Sequence, residues 1–414
     1  MSNKIEHQTA VNVSNEKWYF PQELRDGLQP FNLSSETIAE TLACAWEYSR
    51  CVIPNWTNWE RYLAFNRTII IAIVAEFRGD LIPEINSKNI IGYDLDELLS
   101  TLFGGTSMRE DMSREFRTFL LMSAEKSRKQ RDSELFGRYL NALAKSPEWW
   151  FRLRDCDALA RYTIASALAC NGFSEIPFRE EQLQLVAELS DTLYDAVAFY
   201  KHRAEGETNS TFGYVGSEMR VENYRDYREI LWALDVKWAH DPAKRCVLNF
   251  IRPFGGPIHM MTRRYRFVED GLMIGRPETD QVVELTRANF KLWHKVDSDI
   301  VKPDKDGHYM DTITKFDKLM LPGFCGLLES SARKHCSYCS NAVSSSSDIR
   351  RFGGVRLCDE CKANWRSFMR AARARFAAAF PEIKNEVLKG WQCCAQIKLE
   401  LTRTPSNEKN AVWH

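Results

Sequence analysis

The chain has no surplus of charge: Lys plus Arg comes to 56 and Asp plus Glu to 56 over 414 residues. No global field draws it to a nucleic-acid backbone or an anionic membrane, and any basic function has to be local. It also has no long apolar run. The longest, Ile69 to Ala75, ends at Glu76 and follows Arg67-Thr68, far short of the roughly 20 residues that span a bilayer. Met1 to Glu16 is polar and contains no apolar core of a secretory leader, so a reducing, cytoplasmic location is expected. In such a compartment the twelve cysteines are thiols or metal ligands. Sustained strand alternation is hard to find, and neither an internal repeat nor a heptad run is visible.

What is present is a helical pattern. Hydrophobic residues make up 44% and charged residues 27%, enough apolar side chains for a true core. From Ser34 to Trp293 apolar residues recur at helical spacing, as in Leu183, Val186, Leu189, Leu193 and Val197, which predicts an all-α bundle of many helices. Breaks are expected at Phe103-Gly104-Gly105-Thr106, Ser146-Pro147, Asn171-Gly172-Phe173, Ile176-Pro177 and Asp241-Pro242. Thr192 to Arg203 reads as one internal helix. Phe254-Gly255-Gly256-Pro257 interrupts a helix-like stretch, and Gly206 to Gly216 is a polar loop. Beyond Lys302 the chain turns more polar, and a serine run, Ser344 to Ser347, separates two cysteine pairs.

Those pairs are Cys336-Ser-Tyr-Cys339 and Cys358-Asp-Glu-Cys361. Two residues between cysteines let both thiolates turn onto one ion, and two such knuckles close a tetrahedral zinc shell with no open position, which makes the zinc structural. The other eight, Cys44, Cys51, Cys156, Cys170, Cys246, Cys325, Cys393 and Cys394, sit mostly in apolar helical contexts and read as core packing. Arg350, Arg351, Arg356, Lys362, Arg366, Arg370, Arg373 and Arg375 cluster around and after the second knuckle. They fit either a nucleic-acid surface or a solvated basic helix from Lys362 toward Phe376. The neutral chain favours the helix, and no nucleic-acid partner is expected.

The informative polar pattern lies upstream. On one helix Asp191, Asp195, Ala198, His202 and Glu205 share a face, because steps of three and four return to the same side. Carboxylates spaced by a small residue suit a hard cation that keeps part of its water shell, as magnesium does on phosphate oxygens. A solvated outer face would show the same spacing. Tyr194, Val197, Phe199 and Tyr200 fill the other faces, however, which argues for burial, and a buried acidic stripe requires a metal or a basic partner. Glu76 and Asp80, four residues apart, form a second acidic pair that could face the stripe or lie at an ordinary helix end. Arg152, Arg154, Arg263 and Arg264 offer planar forks for a diphosphate, with Tyr265 as a hydrogen-bond donor beside the last two. Arg152 and Arg154 could equally pair with neighbouring acids. Trp149, Trp150, Phe151, Phe212, Tyr214, Trp232, Trp238, Phe250 and Phe254 flank these charges; most read as core, while a few would suffice to line a pocket for a carbocation.

The stripe resembles the second metal motif of class I terpene synthases. Asp195, Gly206 and Glu207 match it, and Arg264-Tyr265 resembles the pair those enzymes carry downstream. Tyr194, Ala198 and His202 occupy the three ligand positions, so magnesium here would use Asp191, Asp195, Glu205 or Glu207. No Asp-Asp-x-x-Asp run exists in the chain; Glu76 and Asp80 could stand in for it. Longer strings resemble one family more closely: Ala43-Cys-Ala-Trp-Glu-Tyr48, Cys51-Val-Ile-Pro-Asn55, Asp155-Cys-Asp157-Ala-Leu-Ala-Arg161, Tyr200-Lys-His202-Arg-Ala-Glu205-Gly-Glu207-Thr-Asn209-Ser-Thr-Phe212 and Phe254-Gly-Gly-Pro-Ile-His259-Met-Met. Together they are similar to the fungal α-ionylideneethane synthases of abscisic acid biosynthesis.

That resemblance implies a terpene-synthase-like bundle that converts farnesyl diphosphate to a sesquiterpene hydrocarbon without the standard metal motifs. It also implies neutral triene intermediates, and hence a group that removes and returns protons. His202 is the candidate; Glu205, Glu207 and His259 are alternatives. The expected organisation is an N-terminal segment 1–17, a synthase domain 18–300, a connection 301–329, a zinc lobe 330–380 and a tail 381–414. Two rival readings stand beside it: a prenyltransferase joining allylic diphosphates, and a non-enzymatic zinc protein acting through its basic lobe. The oligomeric state is left open, a homo-oligomer included.

Overall fold

The computed structural model describes residues 18–28, 33–82, 86–127, 134–135, 138–139, 146–205, 210–261, 307–315, 317–333 and 357–388. Over these the chain is all-α apart from one short hairpin, Asn89–Ile90 paired antiparallel with Tyr93–Asp94. The helices start where local chemistry dictates. Ser34 accepts the N–H of Thr37 and opens α1 (Ser35–Val52); Asn58 accepts that of Arg61 and opens α2 (Trp59–Phe77); Asp94 accepts that of Glu97 and opens α3 (Leu95–Phe103). Each polar side chain satisfies a donor that the first helical turn leaves unpaired.

Helix α2 carries the long apolar run, and Ile69 to Ala75 are all buried where α1, α3 and α4 (Arg109–Ser127) close around it. A helix that is apolar all round has no solvent face to offer, so it becomes the centre of the bundle. No helix among the described residues is long and apolar enough to cross a membrane.

The predicted Ser146-Pro147 break starts α5 (Pro147–Ala158), with proline in the first turn where its missing N–H costs nothing. Leu159, in the left-handed conformation (φ 54°), turns the chain directly into α6 (Ala160–Cys170). Next comes α7 (Glu180–Glu205), 26 residues long and so longer than its sequence-predicted core of Thr192 to Arg203. The polar loop that follows contains a helical turn, α8 (Thr211–Val215), which the composition did not suggest. Helix α9 (Arg220–Trp238) packs along α7, and Asp241 caps α10 (Pro242–Ile251) through the N–H of Lys244. The Phe254-Gly-Gly-Pro interruption is a short 3-10 turn, Arg252–Gly255, then α11 (Pro257–Met261). Gly256 joins them at φ 142°, a conformation that side chains on an L-residue disfavour, hence a glycine.

The described C-terminal part comprises α12 (Gly307–Lys315), α13 (Phe324–Arg333), α14 (Asp359–Arg370) and α15 (Ala372–Ala379). The last two, joined through Ala371 alone, form a bent helix pair set into the main core. Trp365 is buried edge-on against Trp150 of α5, with ring centroids 6.2 Å apart, and Phe368 stacks on Phe151 at 5.8 Å. Phe376 meets Tyr227 and Phe380 meets Trp238, both on α9. Two basic residues expected on a solvated helix do otherwise. Arg373 is buried and donates to Asp226 at 2.8 and 3.0 Å and to Glu229. Arg375 donates to the buried Glu188. Both face inward because the apolar side of the helix pair can be covered only by turning that face into the core. The exposed side keeps Lys362, half-buried, and Arg370.

Candidate active site

The acidic stripe faces inward. Asp191, Asp195 and His202 are all buried on α7, and Ala198 between them is fully so. The basic partner that a buried stripe requires is Arg154 of α5: its Nη2 donates to Asp195 Oδ1 at 2.8 Å, its Nε to Oδ2 at 3.4 Å, and its Nη1 to Asp157 at 3.2 Å. Asp195 Oδ2 also takes the backbone N–H and the hydroxyl of Thr211, at 2.8 and 2.7 Å, which ties the start of α8 to α7. That carboxylate therefore accepts four hydrogen bonds, three of them at Oδ2 and one at Oδ1.

Asp191 is different. Its Oδ2 is buried with no hydrogen-bond partner, although it shares the face with Asp195. Burial raises the pKa of Asp191 well above the usual carboxylate range, and the nearby Arg154 offsets this only in part. Conversely, burial alone would lower the pKa of Arg154, but Asp195 and Asp191 outweigh it and hold the guanidinium charged. Two carboxylates one turn apart thus differ in their hydrogen-bond partners according to where a single arginine points.

His202 lies beyond Asp195 with its Nδ1 3.8 Å from Oδ1. Its ring is 5.4 Å from that of Tyr194, and Tyr194 is 4.6 Å from His259 and 5.9 Å from Phe254. The Gly-Gly-Pro turn therefore carries His259, a second imidazole, to the same cluster of rings. Arg154 lies over the Tyr194 ring at 5.8 Å.

Arg152 belongs to an adjoining ladder of buried charges. It donates to both oxygens of Glu115 on α4, at 2.8 and 2.6 Å. Burial would raise Glu115, but Arg152 overcomes it and lowers the pKa. Asp155 takes the backbone N–H of Arg161 at 2.8 Å and its guanidinium, and Arg161 reaches on to Glu180 and Gln184 of α7. The ladder joins α4, α5, α6 and α7, which is what fixes the stripe against Arg154.

A family model described as "Alpha-ionylideneethane synthase aba3" matches residues 16–382. The chain belongs to the α-ionylideneethane synthase family. It is 52% identical to "Alpha-ionylideneethane synthase aba3" of Botryotinia fuckeliana (strain B05.10), over 91% of this chain and 86% of that protein. It is 47% identical to "Alpha-ionylideneethane synthase abl3" of Leptosphaeria maculans, over 92% and 89%. With the protein of that name from Pyricularia oryzae, identity is 44% over 89% and 83%. The family consists of enzymes, and the match spans the acidic stripe, the Gly-Gly-Pro turn and the second cysteine knuckle alike.

The other sequence-predicted residues divide into three groups. Glu76 is partly buried in the last turn of α2, and Asp80, exposed, is held by Arg78 at 2.7 Å. Cys358 and Cys361 sit at the start of α14, where the N–H of Cys361 points at Cys358 Sγ, 3.5 Å away. Glu207, Arg263, Arg264, Tyr265, Cys336 and Cys339, and the side chain of Glu205, lie outside the described residues. Among the flanking aromatics, Trp150, Phe151, Phe212, Trp238, Phe250 and Phe254 are buried, whereas Trp149 and Trp232 are exposed.

Sequence reasoning missed Glu115 and Glu188, and it read Arg375 as part of a basic cluster without a carboxylate partner. Glu188 had a signal: it precedes Asp191 by three residues and simply extends the stripe by a turn. Glu115 had one as well, an acid set between Met112 and Phe119 on an apolar helix face. Arg375 is one arginine among many, and nothing local to it announces its partner.

Proposed function

We propose that this chain is a sesquiterpene synthase that converts farnesyl diphosphate to α-ionylideneethane or a closely related hydrocarbon in abscisic acid biosynthesis, on a terpene-synthase-like bundle. The observation that carries this reading, in a chain of that family, is the inward acidic face of α7. On it one carboxylate is locked by Arg154 while the next, Asp191, keeps an unsatisfied oxygen. A buried acceptor without a donor is costly, and a cation or a protonated ligand group would relieve it.

Magnesium fits that role. The ion is commonly held by one or two carboxylates plus substrate phosphate oxygens and waters, so one available protein oxygen is compatible with it. Among the described residues no group of three or more His, Cys, Asp or Glu is disposed to hold a metal. Asp191 would therefore act with Glu205 or Glu207, and magnesium would supply charge neutralisation to the departing diphosphate. Asp195, already accepting four hydrogen bonds, holds Arg154 and α8 in place. Arg152 and Arg154 could bind diphosphate only by releasing Glu115 or Asp195, which leaves Arg263 and Arg264, with Tyr265, as the arginine pair for it. His202 and His259, ringed around Tyr194, are the groups suited to moving a proton.

Zinc at Cys336, Cys339, Cys358 and Cys361 is proposed as structural. The Cys361 N–H directed at Cys358 Sγ, at a helix N-terminus, favours a thiolate there. Elemental analysis of the purified chain should find one zinc per molecule, and its removal should lower the unfolding temperature. No bound zinc, or an unchanged transition after removal, rejects the site.

Activity is tested with purified protein, farnesyl diphosphate and magnesium, reading hydrocarbons by gas chromatography. A new sesquiterpene that disappears with a chelator is the expected result. A product longer than fifteen carbons would favour a prenyltransferase, and no turnover of any prenyl diphosphate would sink both.

A further inference from the structure

Glu188 is buried on α7 three residues before Asp191 and seven before Asp195, on the same face. Its charge is met from a distant part of the chain. Arg375 of α15 donates through Nη1 to Oε2 at 2.7 Å and through Nη2 to Oε1 at 2.6 Å, and the Tyr227 hydroxyl of α9 donates to Oε1. The guanidinium lies 3.7 Å from the centre of the Phe368 ring, and Phe368 stacks on Phe151, the residue before Arg152. Gln182, nearer the start of α7, donates to the carbonyl of Ala379 at 2.9 Å. The acids of α7 are thus gripped from two sides: at Asp195 by Arg154 of α5, and at Glu188 by Arg375 of α15. Asp191 falls between the two grips.

We propose that Arg375 is a positioning residue for the candidate active site: by its two-pronged hold on Glu188 it sets the rotation of the acidic face of α7, and it makes the α14–α15 helix pair a wall of that site. The inference rests on the reading of this face as the seat of prenyl diphosphate chemistry. Without Arg375, Glu188 would be a buried carboxylate left with only a tyrosine donor. It gains relief by protonation or by turning toward water, and because Asp191 and Asp195 share its face, any turn carries them along. A lysine would keep the charge but not the paired, planar geometry.

The experiment compares the full-length wild-type chain with Arg375→Lys and Arg375→Met. Steady-state kinetics on farnesyl diphosphate with magnesium, product ratios, thermal unfolding and amide hydrogen exchange are measured on each. Arg375→Lys is expected to remain folded with KM within about 2-fold of wild type, while kcat falls about 10-fold or more. Exchange in peptides covering residues 186–196 should quicken by about 10-fold, with α2 unchanged. Arg375→Met should show the same pattern more strongly, or unfold earlier. The inference is overturned if Arg375→Lys keeps kcat, product ratios and local exchange, or if exchange rises equally throughout the chain. Failure of the wild type to turn over any prenyl diphosphate would reject the functional reading instead, and the exchange pattern would still decide whether Arg375 holds α7 in place.

Discussion

Replacing Asp195 with Asn is expected to cost roughly 3–5 kcal/mol of folding stability, the usual result of stripping one partner from a buried ion pair. The variant leaves Arg154, itself buried, with Asp157 at 3.2 Å as its one remaining hydrogen-bonded carboxylate. It also places an amide that can no longer accept fully from Arg154 and Thr211 together. Asp191→Asn, one turn away, should behave oppositely. Burial raises the Asp191 pKa and so disfavours its charged form in the folded chain, and asparagine is an uncharged group of nearly the same shape.

The sign of the pH dependence follows from linkage. A carboxyl whose folded pKa lies above its unfolded value binds more protons when folded, so stability falls as pH rises from the unfolded pKa toward the folded one. Asp191→Asn removes that loss. Thermal unfolding from pH 4 to 8 should show the variant as stable as wild type at the acid end and equal or more stable at the alkaline end. Its turnover should nevertheless drop on the order of 10²-fold if Asp191 helps to stabilise the departing diphosphate. Equal destabilisation by the two substitutions would mean that the two carboxylates do not differ as described.

The second large effect concerns the C-terminal helix pair. Trp365→Ala should destabilise the whole chain by roughly 3–5 kcal/mol, the range for deleting a buried large aromatic side chain. The indole is 1% exposed and meets Trp150 and Phe151 of α5, so the cavity would open inside the main core. Chemical unfolding followed by fluorescence and by circular dichroism should shift as one transition. A separate early transition, with the remainder of the chain unaffected, would instead describe an independently folding lobe.

Much of this was legible beforehand because it depends on neighbours in sequence. The break at Asp241-Pro242 is a side-chain cap followed by a residue suited to a first helical turn, and both act within four residues. The burial of the 69–75 run follows from composition, since no arrangement of seven consecutive apolar residues offers a polar face. The α7 stripe was visible for the same reason: helical periodicity converts spacing into a face. That it required a basic partner could be argued from desolvation; that Arg154 supplies it could not.

Arg152 and Arg154 show where local reading stops. Diphosphate ligand and carboxylate partner were equally compatible with their type and position, because an arginine fork fits both. Only the packing of α4 and α7 against α5 brings Glu115 and Asp195 into reach. The basic residues after the second knuckle make the same point: Arg373 and Arg375 are indistinguishable in sequence from the exposed Arg370, yet the packing of α15 on α7 and α9 brings them to Asp226 and Glu188.

Taken alone, the sequence determined an all-α protein, the family to which it belongs, and the helix face that gathers Asp191, Asp195 and His202. Periodicity, capping and long identical strings are properties of contiguous residues, and a chain carries them whether or not it is folded. The tertiary structure decided which carboxylate is held by an arginine and a threonine and which is left with an open oxygen, and it made the C-terminal helix pair part of the same core. Those outcomes depend on pairs separated by 41 residues, as in Arg154 and Asp195, or by 187, as in Arg375 and Glu188. Charge pairing over such separations is set by the distance left once the helices have packed, and no local pattern encodes it.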